Sequence, residues 1–253
     1  MGDAGRHGRA AHTSRQAKQV LYLFLSLDLF FIAFHVLVSA TRLAGFIEGE
    51  LPASLKLFSV INDRGLPEFC NQVKALLAAA FLTATWAKTK QMVYLCWVLV
   101  FAAAALDDAF LIHERAGDAF YRAFVHDSLG ERGIFVGGVM FAGVYAAAFG
   151  SALWIAHAFA DRQHARNSLI ILFFFGIVVF FAIFVDGLHG LVVAILPELK
   201  ASVVFQGLTN LFEDGGELLS LSLALAAVIA VHEAVMRRSP PSPPAPQRTG
   251  ASG

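Results

Sequence analysis

The sequence predicts an all-α fold, a polytopic membrane protein built as a bundle of six transmembrane helices. Three observations lead there. Hydrophobic residues make up 57% of the 253 positions and charged ones only 15%, whereas ordinary globular domains run nearer about 25% charged. Mean hydropathy is +0.65. Apolar runs close to the roughly 20 residues that cross a bilayer recur along the chain, separated by polar stretches.

Residues 1–18 are polar and basic and read as a cytoplasmic tail before the first apolar run, 19–41. Val38-Ser39-Ala40 imitates a signal-peptidase site. The run is too long for a signal-peptide core and contains Asp28, so it reads as a retained span. The loop from Arg42 to Gln72 is mixed in charge, and its Leu51–Val60 segment suits a short interfacial helix. Span two, 73–88, is short. Span three, 91–114, ends in Leu106-Asp107-Asp108-Ala109-Phe110-Leu111-Ile112-His113-Glu114, and a polar loop from Arg115 to Arg132 follows. Span four, 133–159, carries Gly138, Ala142, Gly143, Ala147 and Gly150, small residues that let helices approach closely. Span five is 168–195. Span six, 203–236, is long enough to tilt or protrude. Residues 239–253 are Pro-, Ser-, Ala- and Gly-rich, the composition of a disordered cytoplasmic tail, leaving 19–238 as the transmembrane domain. Cys70, placed in a loop, and Cys96, placed in a helix, are too few for a disulfide framework and read as unpaired.

Lys and Arg set the orientation. Eleven fall on the flank that includes both termini and eight on the other, with three acids on the first flank and eight on the second. The positive-inside rule then puts both termini in the cytoplasm. The remaining eight acids lie inside the spans, together with His35, His113 and His189 and, on this assignment, no Lys or Arg. An Asp near the bilayer centre costs roughly 2.5–3.5 kcal/mol on insertion scales, so such a population needs partners.

Four spans supply it. Asp28 and His35 are seven apart and share a face of span one, as do Asp107 and Glu114 in span three, with Asp108 and His113 flanking. Asp186 and His189 in span five have the carboxylate-x-x-His spacing of carboxylate-bridged metal sites in bundles. In span six Gln206, Asn210, Glu213, Asp214, Glu217 and Ser220 form one polar stripe on an apolar helix. Three carboxylates on one face repel each other and call for cations or protons. Each feature also has a plainer reading. Asp28 suits a protonated acid bonded to a neighbouring helix, His35 a ring satisfied by a carbonyl, and Glu114 beside Arg115 a solvated helix end.

All but Asp28 fall in the outer half of the bilayer, which points to one shared site. Hard oxygen ligands with imidazoles suit a divalent metal, Fe, Zn or Mn, better than Cu(I). The metal set would be His35, Asp107, His113, Glu114, Asp186, His189, Glu213, Asp214 and Glu217. Asp28 and Asp108 would be the acid–base groups. The expected function is a membrane oxidoreductase or hydrolase with a mono- or dinuclear metal centre, acting on a lipid-soluble or periplasmic substrate. The alternative is a proton- or cation-coupled transporter or channel using the same acids, and a third class is a partner-binding subunit with protonated acids. A channel requires a continuous polar path, and the inner halves of spans three and five are apolar. No His-Glu-x-x-His, Asp-Asp-x-x-Asp, phosphate loop or nucleophile elbow occurs, and no basic stripe suits nucleic acid. Oligomeric state is not legible.

Leu106-Asp107-Asp108 through His113-Glu114 resembles the Leu-Asp-Glu/Asp…His-Glu signature of an uncharacterised family of bacterial multi-pass membrane proteins. Glu213-Asp214-Gly215-Gly216-Glu217 resembles that family's later acidic segment. The second acid of each pair is Asp here, where the family more often has Glu. The resemblance spans two short segments and implies a bacterial inner-membrane setting, with no activity attached. Ceramidase-like hydrolases also use intramembrane His and Asp around zinc, but this chain lacks their paired His in a final span and has six spans rather than seven.

Overall fold

The computed structural model describes residues 15–46, 52–60, 65–125 and 131–237, and among them every regular element is helical. The helices are α1 (Arg15–Leu43), α2 (Ala53–Lys56), α3 (Leu66–Thr89), α4 (Met92–Phe110), α5 (Ile112–Phe120), α6 (Glu131–Ala158), α7 (Arg162–Val179), α8 (Asp186–Ile195) and α9 (Val203–Arg237). A π-helical stretch, Phe180–Val185, joins α7 to α8, and a second, Tyr121–Val125, extends α5. The tails 1–14 and 238–253, and with them the expected disordered segment, lie outside the described residues.

Five stretches among the described residues are long and apolar enough to cross a membrane: Arg15–Leu43, Met92–Phe110, Val139–Ala158, Arg162–Val193 and Val204–Arg237. The expected second span lies in α3, which carries Lys74 and Lys88 and is not one of the five. Helix α3 is nonetheless central. Its Ala75, Ala78, Ala79 and Leu82 are buried, it packs on α4 and α9, and it reaches α1 through the Lys74 side chain. Cys70 lies in α3 rather than in the preceding loop, and both cysteines are free.

The core forms where α9 meets its neighbours, with Leu221, Ala224, Leu225, Val228 and Ile229 all buried. Between α4 and α7 the rings of Trp97 and Phe101 lie 5.6 and 5.2 Å from that of Phe175. The Trp97 indole N–H donates to Ser168 Oγ at 2.9 Å. The outside of the bundle is the reverse of a soluble surface. Leu37, Phe46, Trp154, Phe159 and Phe173 are each more than 60% exposed, and so large an apolar exterior suits lipid.

Two connections depart from the sequence expectation. Span three does not run unbroken from 91 to 114. Helix α4 stops at Phe110, Leu111 takes the left-handed conformation (φ 50°, ψ 47°), and α5 starts at Ile112. Residues expected to form a loop after span three are therefore helical as far as Val125. They lie against α6, because Gly117 and Gly137 allow a backbone approach that no side chain would permit: a Cβ on Gly137 would strike the Gly117 carbonyl oxygen. Span five is likewise interrupted, by the π-helical turn before Asp186.

Candidate functional site

Lys74 lies eight residues into α3, about 12 Å from its start at 1.5 Å per residue. Its side chain is 0% exposed, as is that of Asp28 on α1. The ammonium donates to Asp28 Oδ1 at 2.6 Å, Asn71 Oδ1 at 3.1 Å and the Leu218 carbonyl at 3.0 Å. Those three bonds use all of its donors. The other oxygen of Asp28 accepts from Ser222 Oγ at 2.6 Å, and the Phe24 ring centroid lies 5.8 Å from Lys74 Nζ. The expectation of a cation-free interior is corrected here. The charge count places Lys74 on the outer flank, since it lies one residue inside the expected span 73–88, but the helix that bears it begins at Leu66.

Asn71, one turn before Lys74 on the same face, also donates from Nδ2 to Glu217 Oε1 at 3.4 Å. A polar line thus runs Glu217–Asn71–Lys74–Asp28–Ser222 across α9, α3 and α1. At its Glu217 end lies a pocket of about 180 Å³ whose walls include Glu68, Asn71, Asp108, His113, Asp214 and Glu217.

The Leu106–Glu114 stretch acquires a mechanical role at the rim of this pocket. Asp107 Oδ1 accepts the backbone N–H of His113 at 2.7 Å, and Asp107 Oδ2 lies 3.1 Å from His113 Nδ1. The first turn of a helix has N–H groups without intrahelical acceptors. The Asp107 carboxylate serves one of them across the break at Leu111, as a capping side chain does, and holds the imidazole with its other oxygen. Asp107 and Glu114 do not share a helix face, because no single helix contains both; the side chain of Glu114 lies outside the described residues.

The other expected residues fall elsewhere. On α8 and α9, His189 Nδ1 lies 3.2 Å from Glu213 Oε2, Thr209 Oγ1 is 3.4 Å from His189 Nε2, and Asp186 is within hydrogen-bonding reach of Glu213. His35 is buried beside Ser39, whose Oγ is 3.4 Å from Nε2, and near the Gly207 backbone. The predicted set therefore divides into a buried ion pair, a pocket, the His189 cluster and an isolated His35. Among the described residues no three His, Cys, Asp or Glu side chains come together as ligands for one ion.

Sequence reasoning missed Lys74, Asn71 and Ser222. A signal for them existed. Asn71, Lys74, Ala78, Leu82 and Thr85 recur at helical spacing on the buried side of α3, and eight interior acids demand a cation.

Beyond Ser222 the line stops. Ala78, Leu82, Leu225, Val228 and Ile229 are buried to within 1% and separate it from the next polar pair, Thr85 Oγ1 and His232 Nδ1 at 2.9 Å. Ser222 and His232 are ten residues apart on α9, about 15 Å. The polar system is open at the pocket and closed at the other end.

No curated protein and no solved structure matches the chain. The family model that matches covers residues 18–232 and so includes every residue of the pocket and the ion pair. The chain belongs to that family, described as a domain of unknown function (DUF8692).

Proposed function

We propose that the chain is a six-span inner-membrane protein, with α3 as one of the spans and both termini cytoplasmic, that acts as a proton- or cation-coupled transporter. The observation that supports this most is the Asp28–Lys74 pair joined through Asn71 to the pocket residue Glu217. A buried ion pair seldom contributes net stability over apolar residues of similar volume. Ionisable groups at membrane depth are most often found on proton or ion paths. A proton delivered to Asp28 removes the charge that holds Lys74, and a cation entering at Glu217 repels the ammonium. Either event drives Lys74 to exchange acceptors among Asp28, Asn71 and Leu218, and so couples α1, α3 and α9. The apolar closure beyond Ser222 favours a transporter over an open channel.

A second reading, an acid–base enzyme, is supported by Asp107 and His113. Asp107 engages Nδ1 of an imidazole that lines the same pocket as Asp108 and Glu217, as in a general base oriented by a carboxylate.

The test is charge displacement in proteoliposomes after a step in external pH or cation concentration. Wild type gives a transient absent from empty vesicles, and the double variant Asp28→Asn/Lys74→Met, which leaves no buried charge unpaired, loses it. A wild-type trace equal to that of empty vesicles sinks the transporter reading. So does a double variant that keeps its monodisperse profile and the full transient. Stoichiometric Fe, Zn or Mn retained by purified protein and lost from Glu213→Gln would replace it with the metal-enzyme reading.

A further inference from the structure

The opposite end of the bundle carries a second built cavity, unconnected with the acids. It measures about 240 Å³ and is lined by Lys88 and Thr89 at the end of α3, Gln163, His164 and Asn167 on α7, and Ala234 and Val235 on α9. Its polar wall is ordered by a directed chain of hydrogen bonds. Gln163 Nε2 donates to Asn167 Oδ1 at 3.0 Å, Asn167 Nδ2 donates to the Tyr94 hydroxyl at 3.0 Å, and that hydroxyl lies 2.9 Å from His164 Nδ1. Tyr94 and Asn167 are buried. The Tyr94 oxygen accepts from Asn167 and keeps its own proton free to donate to His164 Nδ1. With that bond made, the ring carries its own proton on Nε2, as a donor. The T-shaped contact of Tyr94 with His164, centroids 5.4 Å apart, fixes the ring plane.

The charge around the cavity is one-sided. Among the described residues this end of the bundle holds Arg15, Lys18, Lys88, Lys90, Arg162, Arg166 and Arg237 against Asp161 and Glu233. Glu233 pairs with Arg237, and Asp161 accepts from Gln91 Nε2 at 2.9 Å. A cavity between helices lined by a lysine, an imidazole held in place by Tyr94 and an apolar floor suits a tetrahedral oxyanion on an apolar stem.

We propose that this cavity binds a phosphate group, held by Lys88 and His164 Nε2–H, with Ala234 and Val235 against whatever the phosphate is attached to. The group is either the headgroup phosphate of an anionic phospholipid from the adjoining leaflet or a free phosphate. The site stands apart from the transport reading, since it shares no residue with the pocket or the ion pair.

Full-length protein, delipidated in detergent, would be titrated by thermal shift with inorganic phosphate in one arm and with phosphatidylglycerol in mixed micelles in the other. Lys88→Met, His164→Gln and Lys90→Met would be measured alongside. Glutamine at 164 keeps an acceptor for Tyr94, and Lys90 stacks on Trp86 away from the cavity lining. Saturable stabilisation is expected in at least one arm, about ten-fold weaker in apparent affinity for Lys88→Met and His164→Gln and unchanged for Lys90→Met, a ten-fold change being the usual worth of one charge-assisted bond. Response to the lipid alone assigns the headgroup, and response to inorganic phosphate assigns the phosphate group by itself. Saturation in neither arm overturns the site, as does wild-type affinity in Lys88→Met and His164→Gln. An equal loss in Lys90→Met, which marks diffuse surface charge, overturns it too.

Discussion

Lys74 directs all three ammonium protons at fixed oxygens, while Asp28 accepts from Lys74 and Ser222 with no exposure of either charged group. Removing one member of such a pair leaves the other buried and uncompensated, at a cost of about 3–5 kcal/mol. Lys74→Met is therefore expected to lower the melting temperature in detergent sharply. Asp28→Asn added to it recovers most of the loss, and a double-mutant cycle followed by tryptophan fluorescence reads the coupling. Asp107 is a different kind of residue, because its carboxylate serves a backbone group as well as a ring. Asp107→Ala is expected to cost about 0.5–2 kcal/mol, the range of a lost cap. It should also accelerate hydrogen exchange at the His113 amide, with Asp107→Asn intermediate. If that amide exchanges at the wild-type rate in Asp107→Ala, the capping role is wrong.

At the scale of elements, the interruptions matter as much as the helices. Phe181, within the π-helical turn, lies over Gly216 of α9 so closely that a Cβ there would overlap the ring itself, and the same ring meets Phe212 edge to face at 5.5 Å. π-Helical turns inside helices recur at functional sites, and this one precedes Asp186 and His189 directly. Gly216→Val is expected to displace the turn and destabilise the protein by about 1–3 kcal/mol, measured as a fall in melting temperature, while Gly143→Val, which faces open space, leaves it unchanged. Most of the helices were legible in the sequence, since long apolar runs need only length and composition. The break at Leu111 was not, because neither Gly nor Pro marks it. The turn at Leu111 is bridged by Asp107, four residues back, which accepts the His113 N–H. Asp107, Asp108, His113, Asp214 and Glu217 were legible as costly residues needing partners, and all but Asp107 line the pocket directly. Their division into separate groups was hidden, because depth along a helix says nothing about rotation around it.

For the whole molecule, composition alone announces a lipid-facing exterior, and the exposed Phe, Leu and Trp side chains agree with it. Which face of α3 turns inward depends on packing against α4 and α9, and in the sequence only the helical spacing of Asn71, Lys74, Ala78, Leu82 and Thr85 points to it. The basic excess at the end that holds the start of α1 and the end of α9 predicts a cytoplasmic location for both termini. A fluorescent protein fused after Gly253 should mature in cells, and an alkaline phosphatase fused there should stay inactive. The reverse pair of results would invert the bundle.

The apolar layer of Ala78, Leu82, Leu225, Val228 and Ile229 has an electrical consequence. In a bundle that spans the bilayer, aqueous access through the pocket brings the outside potential close to Glu217, so most of the transmembrane voltage falls across that thin, poorly polarisable slab. The Asp28–Lys74 pair then sits at one plate of a capacitor. A unit charge carried across the whole drop does work of about 2.3 kcal/mol per 100 mV, comparable to breaking the pair itself. Occupancy of Asp28 by a proton would then depend on membrane voltage as well as on pH. Leu225→Ser, by admitting water, would spread the field and flatten that dependence, which charge displacement recorded at a series of imposed potentials reads directly.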